Sequence, residues 1–334
     1  MNLAVIGVGS MGKNHARVFS EIANLVAVSD LNEEQGKAIA EKFGCKYFKD
    51  YNEMLESIEL DAVSIAVPTT YHKKVTLDCI DKGLHVLLEK PIASNEQESV
   101  EIIEAAKNKG VKLLIGHIER FNPAVTALKN LMDQGELGEV LAFSGKRVGF
   151  FPSQIKDTNI IIDVAVHDVD IFNYLAGASP KQGISQNGIA VKDHNCIDYA
   201  NILLDYGTVK ASLEVNWITP IKIRRLEVIG TKGYAVLDYI KQELMLYKDV
   251  KELIDKKDIY NSYEWAKSIK DNCVEINVIN QEPLKLELQH FLDCINEDKT
   301  PLVTGEEGLV ALKIVLNALN IKQWKYKYFQ VLKI

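Results

Sequence analysis

At 334 residues, with 47% hydrophobic and 25% charged residues, the chain has globular composition and a length suited to two domains, which excludes disordered and fibrous classes. Its formal net charge of -7 offers no global reason to bind nucleic acid or an anionic membrane. Cys45, Cys79, Cys196, Cys273 and Cys294 are odd in number, dispersed and without a C-x-x-C pair, so they read as reduced thiols rather than zinc ligands or disulfides.

The opening MNLAVIGVGSMG has neither a basic leader nor an apolar run long enough for export, and no later run approaches the roughly 20 residues of a membrane span. A cytoplasmic protein is expected. From Asn2 to about His117, short apolar runs alternate with amphipathic stretches, the rhythm of a parallel sheet covered on both faces. The strands are expected at LAVIG, LVAVS, CKYF, AVSIAV, HVLLE and KLLIG. The helices are expected at SMGKNHARVFSEI, NEEQGKAIAEKF, DYNEMLESI, TYHKKVTLDCIDK and NEQESVEIIEAAKNK. Gly44, Gly83 and Gly110 supply helix stops before three of the strands.

The first strand-to-helix connection carries Gly7-Val8-Gly9-Ser10-Met11-Gly12, a G-x-G-x-x-G loop. Its first glycine suits the turn, its second lets backbone approach a pyrophosphate, and its third allows close helix-strand packing. Asp30 closes the second strand, where a carboxylate accepts ribose hydroxyls and repels a 2′-phosphate, so NAD is preferred; the alternative is a cap of the following helix. Gly7, Gly12 and Lys13 also approximate an NTPase loop, but Asn14 stands where that loop has a hydroxyl residue.

After Phe121 the alternation stops. Pro123 is placed to open a helix, and a further helix runs from about Asp163 to Leu175 with Asp163, His167 and Asp170 on one face. IDYANILLDYGTVKASLEVNW reads as two strands joined at Tyr206-Gly207, and RRLEVIGTKGYAVLDY as another pair turning at Thr231-Lys232-Gly233. PLKLELQHFLDCIN and TGEEGLVALKIVLNALN read as amphipathic helices, the second with a Thr304/Glu307 capping box.

Four motifs in order carry a family resemblance: the glycine loop, Pro68-Thr69-x-x-His72 after the fourth strand, Glu89-Lys90-Pro91 after the fifth, and Asp163-x-x-x-His167. Over nearly its whole length the chain resembles the Gfo/Idh/MocA oxidoreductases. The resemblance implies an α/β chain with an N-terminal doubly wound Rossmann sheet and a C-terminal α+β domain built on an open, mostly antiparallel sheet, with nicotinamide held between them. It gives an NAD-binding domain over 1–120 and a substrate-binding and oligomerisation domain over 121–334. Cofactor residues are then Gly7, Gly9, Ser10, Met11, Gly12, Asp30, Pro68, Thr69, His72, Glu89 and Lys90.

The resemblance also assigns His167 as acid/base, with Asp163 and Lys90 completing the catalytic set. An ammonium at Lys90 polarises the reacting oxygen, Glu89 suits a nicotinamide-ribose hydroxyl, and an imidazole with a pKa near ~6.5 suits proton removal near neutrality. Ordinary alternatives are a solvated Glu-Lys pair before a turn proline and a hydrogen-bonded helix histidine. A metal on His167, Asp168 and Asp170 lacks a second His or Cys at ligand spacing, and none is expected.

Within the family, GHIERFNPAV and KRVGFFPSQIKDTNIIIDVAVHD resemble the branch that oxidises the 3-hydroxyl of UDP-N-acetylglucosamine to a 3-keto nucleotide sugar. His117, Arg120, Asn122 and Arg147 become substrate candidates, the arginines as diphosphate anchors. Other sugar or inositol dehydrogenases of the family, and a noncatalytic NAD sensor, are the competing functions. The open sheet is expected to pair between subunits in a homodimer or homotetramer.

Overall fold

The structure, a computed structural model, describes residues 1–152, 158–248, 272–320 and 324–325. Two units divide it, the first comprising Met1–Phe121 and Glu282–Lys313, the second Asn122–Gln281 and Ile314–Ile334.

In the first unit, β1 (Asn2–Ile6), β2 (Asn24–Ser29), β3 (Lys46–Phe48), β4 (Ala62–Ile65), β5 (His85–Glu89) and β6 (Leu113–Gly116) form one parallel sheet. Their order, β3-β2-β1-β4-β5-β6, is that of a doubly wound fold whose direction reverses between β1 and β4. Both faces of the central strands are covered, so Leu3, Ala4, Val5, Val63, Ile65, Val86, Leu87 and Leu88 form an unbroken apolar layer. The connecting helices are α1 (Gly12–Ile22), α2 (Glu33–Phe43), α3 (Tyr51–Ser57), α4 (His72–Asp81) and α5 (Glu96–Lys109). Each matches an expected stretch. Gly44 and Gly110 end α2 and α5 in the left-handed conformation, as helix stops should.

The second unit begins with α6 (Pro123–Asp133), opened by Pro123 and capped by Asn122. Its sheet contains β7 (Val140–Phe150), β8 (Gln182–Gly188), β9 (Tyr199–Asp205), β10 (Lys210–Asn216), β11 (Ile218–Gly230), β12 (Gly233–Asp238), β13 (Glu243–Lys248), β14 (Cys273–Ile276) and β15 (Trp324–Lys325). Among the described residues the order is β14-β13-β12-β11-β7-β10-β9-β8-β15, and only the β7/β10 pair is parallel. The two expected strand pairs are β9/β10 and β11/β12.

The sheet alternates cleanly. Phe143, Ile202, Leu213, Leu226, Val228, Ala235, Leu237, Leu244 and Leu246 are buried on one face. There α7 (Val166–Ala176) packs on β7, with Phe172 stacked on Phe143 at 5.6 Å and Gly145 leaving room for the Phe172 ring. Across the other face, Ile184, Leu203 and Ser212 lie in register with Ser144, and Ile184 and Leu203 are exposed.

The units divide at Phe121/Asn122, beside the expected 120/121, but α8 (Pro283–Asn296) and most of α9 (Gly305–Ala318) were expected in the second domain and fall in the first unit with residues 282–313. Leu284, Leu288, Phe291 and Leu292 give α8 a buried stripe, and α8 packs on α1. A Cβ at Gly305 would come within 2.7 Å of Ile103, and one at Gly308 within 2.9 Å of Ile115, so these glycines permit α9 to lie tightly against α5 and β6. The expected Thr304/Glu307 capping box is present, with Glu307 N donating to Thr304 Oγ1 and Thr304 N to Glu307 Oε2.

Candidate functional site

In the first unit the singled-out residues gather at the carboxyl ends of the parallel strands, where an open α/β sheet places its ligands. Gly7 follows β1 with φ +83°, and a Cβ there would sit 2.8 Å from Ala66 O. A Cβ at Gly12 would run into the Gly7 carbonyl. At Gly9, by contrast, a Cβ would meet nothing within 4 Å among the described residues beyond its chain neighbours. The first and third glycines are therefore required by the protein's own packing, and the second faces space a ligand can fill.

Ser10 is exposed, and Met11 precedes α1 without capping it by a side-chain bond. The positive end of the α1 dipole suits an anion. Asp30 Oδ2 accepts Val8 N at 2.7 Å and Oδ1 accepts Asn32 N at 2.8 Å. Asn32, not Asp30, caps α2 by accepting Gln35 N. The carboxylate thus stands against the glycine loop, half-buried. This cradle fits a dinucleotide.

Pro68 and Thr69 lie on the turn before α4, both at least partly accessible. His72 does not share that accessibility and is corrected to a structural place. Its ring is 1% exposed, with Nδ1 2.9 Å from Pro91 O and Nε2 3.0 Å from Val67 O, so it ties the segment after β4 to the segment after β5. Burial pushes its pKa below the ordinary value, against the opposing pull of the carbonyls.

Lys90 follows β5 and is half-buried, joined to Pro91 by a cis peptide. Glu89, expected to meet a ribose hydroxyl, is instead buried at 8% exposure. Its Oε1 receives His15 Nε2 at 3.0 Å and its Oε2 receives Lys90 N at 3.1 Å, while His15 Nδ1 lies 2.7 Å from Ser64 Oγ. Burial raises the Glu89 pKa, but the bond to His15 and the charges of His15 and Lys90 outweigh it, and the net direction is downward. His15 was the residue sequence reasoning passed over. Gly12, His15, Ala16, Val18 and Phe19 form the buried face of α1, and a histidine on such a face signals a buried polar partner.

In the second unit, the segment expected to be one regular helix starts with a π turn, Ile161–Ala165, before α7. Asn159 Oδ1 accepts the amides of Ile161 and Ile162 and its carbonyl accepts Asp163 N, anchoring the turn. Asp163 lies within the π turn and His167 one residue into α7; both are half-buried. Such i→i+5 turns recur where a helix must re-aim functional side chains. Ser153–Asp157 of the stretch compared with the nucleotide-sugar branch lie outside the described residues.

The four substrate candidates are all buried. Arg147 is 3% exposed, with Nε 2.5 Å from Asp168 Oδ2, Nη2 3.3 Å from Oδ1, and its guanidinium over the Tyr239 ring at 4.8 Å. Arg120, 2% exposed, donates to Leu302 O at 3.1 Å and Glu307 Oε1 at 2.6 Å. Buried charges require such partners, and each guanidinium has one: Glu307 for Arg120 and Asp168 for Arg147. Asn122 is buried, capping α6 through Ala124 N and donating to Tyr239 O, and His117 is buried as well. Asp168, weighed in the sequence only as a metal ligand, instead pairs with Arg147 from the position next to His167.

Residues 1–117 match the family model for the oxidoreductase family with an NAD-binding Rossmann fold, and residues 125–236 match the GFO/IDH/MocA C-terminal domain. UDP-N-acetylglucosamine 3-dehydrogenase of Acidithiobacillus ferrooxidans is 28% identical over 95% of both chains. A solved structure of that enzyme superposes with a TM-score of 0.82 at 27% identity, covering 95% of this chain and 96% of the other. The scyllo-inositol 2-dehydrogenase (NAD(+)) of Bacillus subtilis is 29% identical, covering 95% of this chain and 92% of its own.

Proposed function

The chain belongs to the Gfo/Idh/MocA oxidoreductase family, and from that premise we propose that it oxidises the 3-hydroxyl of UDP-N-acetylglucosamine with NAD+, giving a 3-keto nucleotide sugar. The observation that carries the substrate is the similarity to the Acidithiobacillus enzyme across 95% of both chains. The inositol reading keeps a place because the Bacillus relative, at 29% identity, acts on scyllo-inositol by its name.

NAD+, when bound, supplies the two-electron acceptor for the carbon-bound hydrogen. His167 takes the hydroxyl proton on a ring nitrogen, so that the C–O bond becomes a carbonyl as the carbon loses its hydrogen with the electron pair. Asp163 holds the ring in orientation. The Lys90 ammonium stabilises negative charge building on the oxygen. Asp30, a carboxylate beside the glycine loop with no adjoining cation in Leu31 or Asn32, sets a preference for NAD over NADP.

The test is a comparison of kcat/KM for UDP-N-acetylglucosamine, free N-acetylglucosamine and inositols, with NADH absorbance as readout. The nucleotide sugar should be the most efficient, because a diphosphate and base supply binding energy remote from the reacting carbon. An inert nucleotide sugar beside a rapidly oxidised inositol would replace this reading with the cyclitol one.

A further inference from the structure

Ser64, His15 and Glu89 form a polar chain inside the first unit, beneath the residue that carries the reactive ammonium. All three are buried, His15 and Ser64 at 0% exposure and Glu89 at 8%. They come from three elements: β4, α1 and the end of β5. Well-packed apolar residues often replace a buried ionic group without loss of stability, so stability alone gives no reason for this chain. Its far end does. Glu89 Oε2 accepts the backbone N–H of Lys90 at 3.1 Å, while Oε1 is held by the ring N–H of His15 at 3.0 Å. An ionised carboxylate only accepts, so His15 Nε2 carries the proton of that bond.

The strand beside β5 keeps room for the arrangement. Glu89 pairs with Gly116 on β6, and a Cβ at Gly116 would come 3.2 Å from both the Glu89 Cα and its carboxyl carbon. His15 stands three residues beyond Gly12, on the helix whose first turn follows the glycine loop. One rigid helix therefore turns its N-terminus to the glycine loop and presents a ring N–H to Glu89 one turn later.

We propose that His15 is a positioning residue for Lys90: through Glu89 it fixes the backbone of the lysine and ties it to the helix that receives the cofactor. The proposal rests on the reading of Lys90 as a group acting on the substrate oxygen. Misplacement of a reacting group by about 1 Å costs on the order of 100-fold in rate, which sets the scale expected here.

Two variants separate positioning from packing. His15→Phe keeps a ring and removes both nitrogens; His15→Gln keeps an N–H able to reach Glu89. Amide hydrogen exchange at Lys90 is followed by NMR in the NAD+-loaded protein without alcohol, beside kcat, KM and the NAD+ dissociation constant. In His15→Phe, Lys90 exchange should quicken about tenfold or more and kcat fall about 10–100-fold, with KM and NAD+ affinity within about twofold. His15→Gln should recover most of both. Should His15→Phe fail to fold, Glu89→Gln, which alters the acceptor of the ring N–H at constant shape, gives the same two readings.

Unchanged Lys90 exchange in a folded His15→Phe protein overturns the proposal, as does loss of KM and kcat together without recovery in His15→Gln. Because exchange needs no turnover, the two readings fail separately. A wild type that oxidises no alcohol yet shows His15-dependent protection of Lys90 removes the dehydrogenase assignment and leaves the positioning link standing.

Discussion

Gly9 and Gly12 sit three residues apart and answer to different masters. A side chain at Gly12 collides with the Gly7 carbonyl, whereas one at Gly9 points into open space. Gly12→Ala should therefore lower the thermal unfolding midpoint, and Gly9→Ala should leave it unchanged while weakening NAD+ binding at least about tenfold, or ~1.4 kcal/mol. Calorimetric melting and NAD+ titration of the two variants check this; equal NAD+ affinity in Gly9→Ala and wild type would count against the cradle. The glycine loop, Asp30 and Lys90 were legible because each depends on its own strand end and the few residues after it. His15 and Glu89 are 74 residues apart in sequence, and no local pattern announces that they meet. The burial of Arg120 and Arg147 was hidden for a related reason: their partners, Glu307 and Asp168, lie 187 and 21 residues away.

At the scale of elements, His72 joins two strand ends that both serve the cofactor edge. Both its ring nitrogens face carbonyl oxygens, and a neutral ring donates to only one of them. Burial depresses His72 below the ordinary imidazole value of 6.5, and it likewise depresses the half-buried His85 and His290 of the same unit. A depressed folded value means that the unfolded chain binds protons first as pH falls. The stability linked to these groups is thus complete above 6.5 and is lost as pH drops through their folded values. The unfolding midpoint should decline below that pH, and His72→Gln should flatten the decline; parallel curves for variant and wild type would contradict the assignment to His72. Strand and helix periodicity foretold α1 to α5 and β1 to β6 because each repeats one pattern against one core. The π turn at Ile161–Ala165 escaped, since it is one inserted register shift held by Asn159, invisible to a 3.6-residue period.

For the molecule as a whole, the sequence legibly separated a parallel α/β sheet from an antiparallel one. It placed α8 and α9 with the wrong sheet because amphipathic helices state that they pack, not where. The close approach of Gly305 and Gly308 to Ile103 and Ile115 reveals the partner of α9, and the contact with α1 that of α8. Ile184 and Leu203 pair across β8 and β9 at 47% and 53% exposure, an apolar spot that we propose as a self-association surface. Leu203→Glu should shift the mass measured by light scattering from an oligomer toward the monomer, and an unchanged mass would place the interface elsewhere.

Lys90 and His167 hold the centre of the account, and single-turnover stopped-flow measurement of NADH formation at saturating alcohol tests them most directly, because it separates the chemical step from product release. Wild type should reduce NAD+ in a rapid first turnover. Lys90→Ala and His167→Ala should each slow that step by about 10²–10⁴-fold, the usual range for a lost acid/base group, with the fold and most of the NAD+ affinity retained. Near-normal first-turnover rates in both variants would contradict the catalytic assignment.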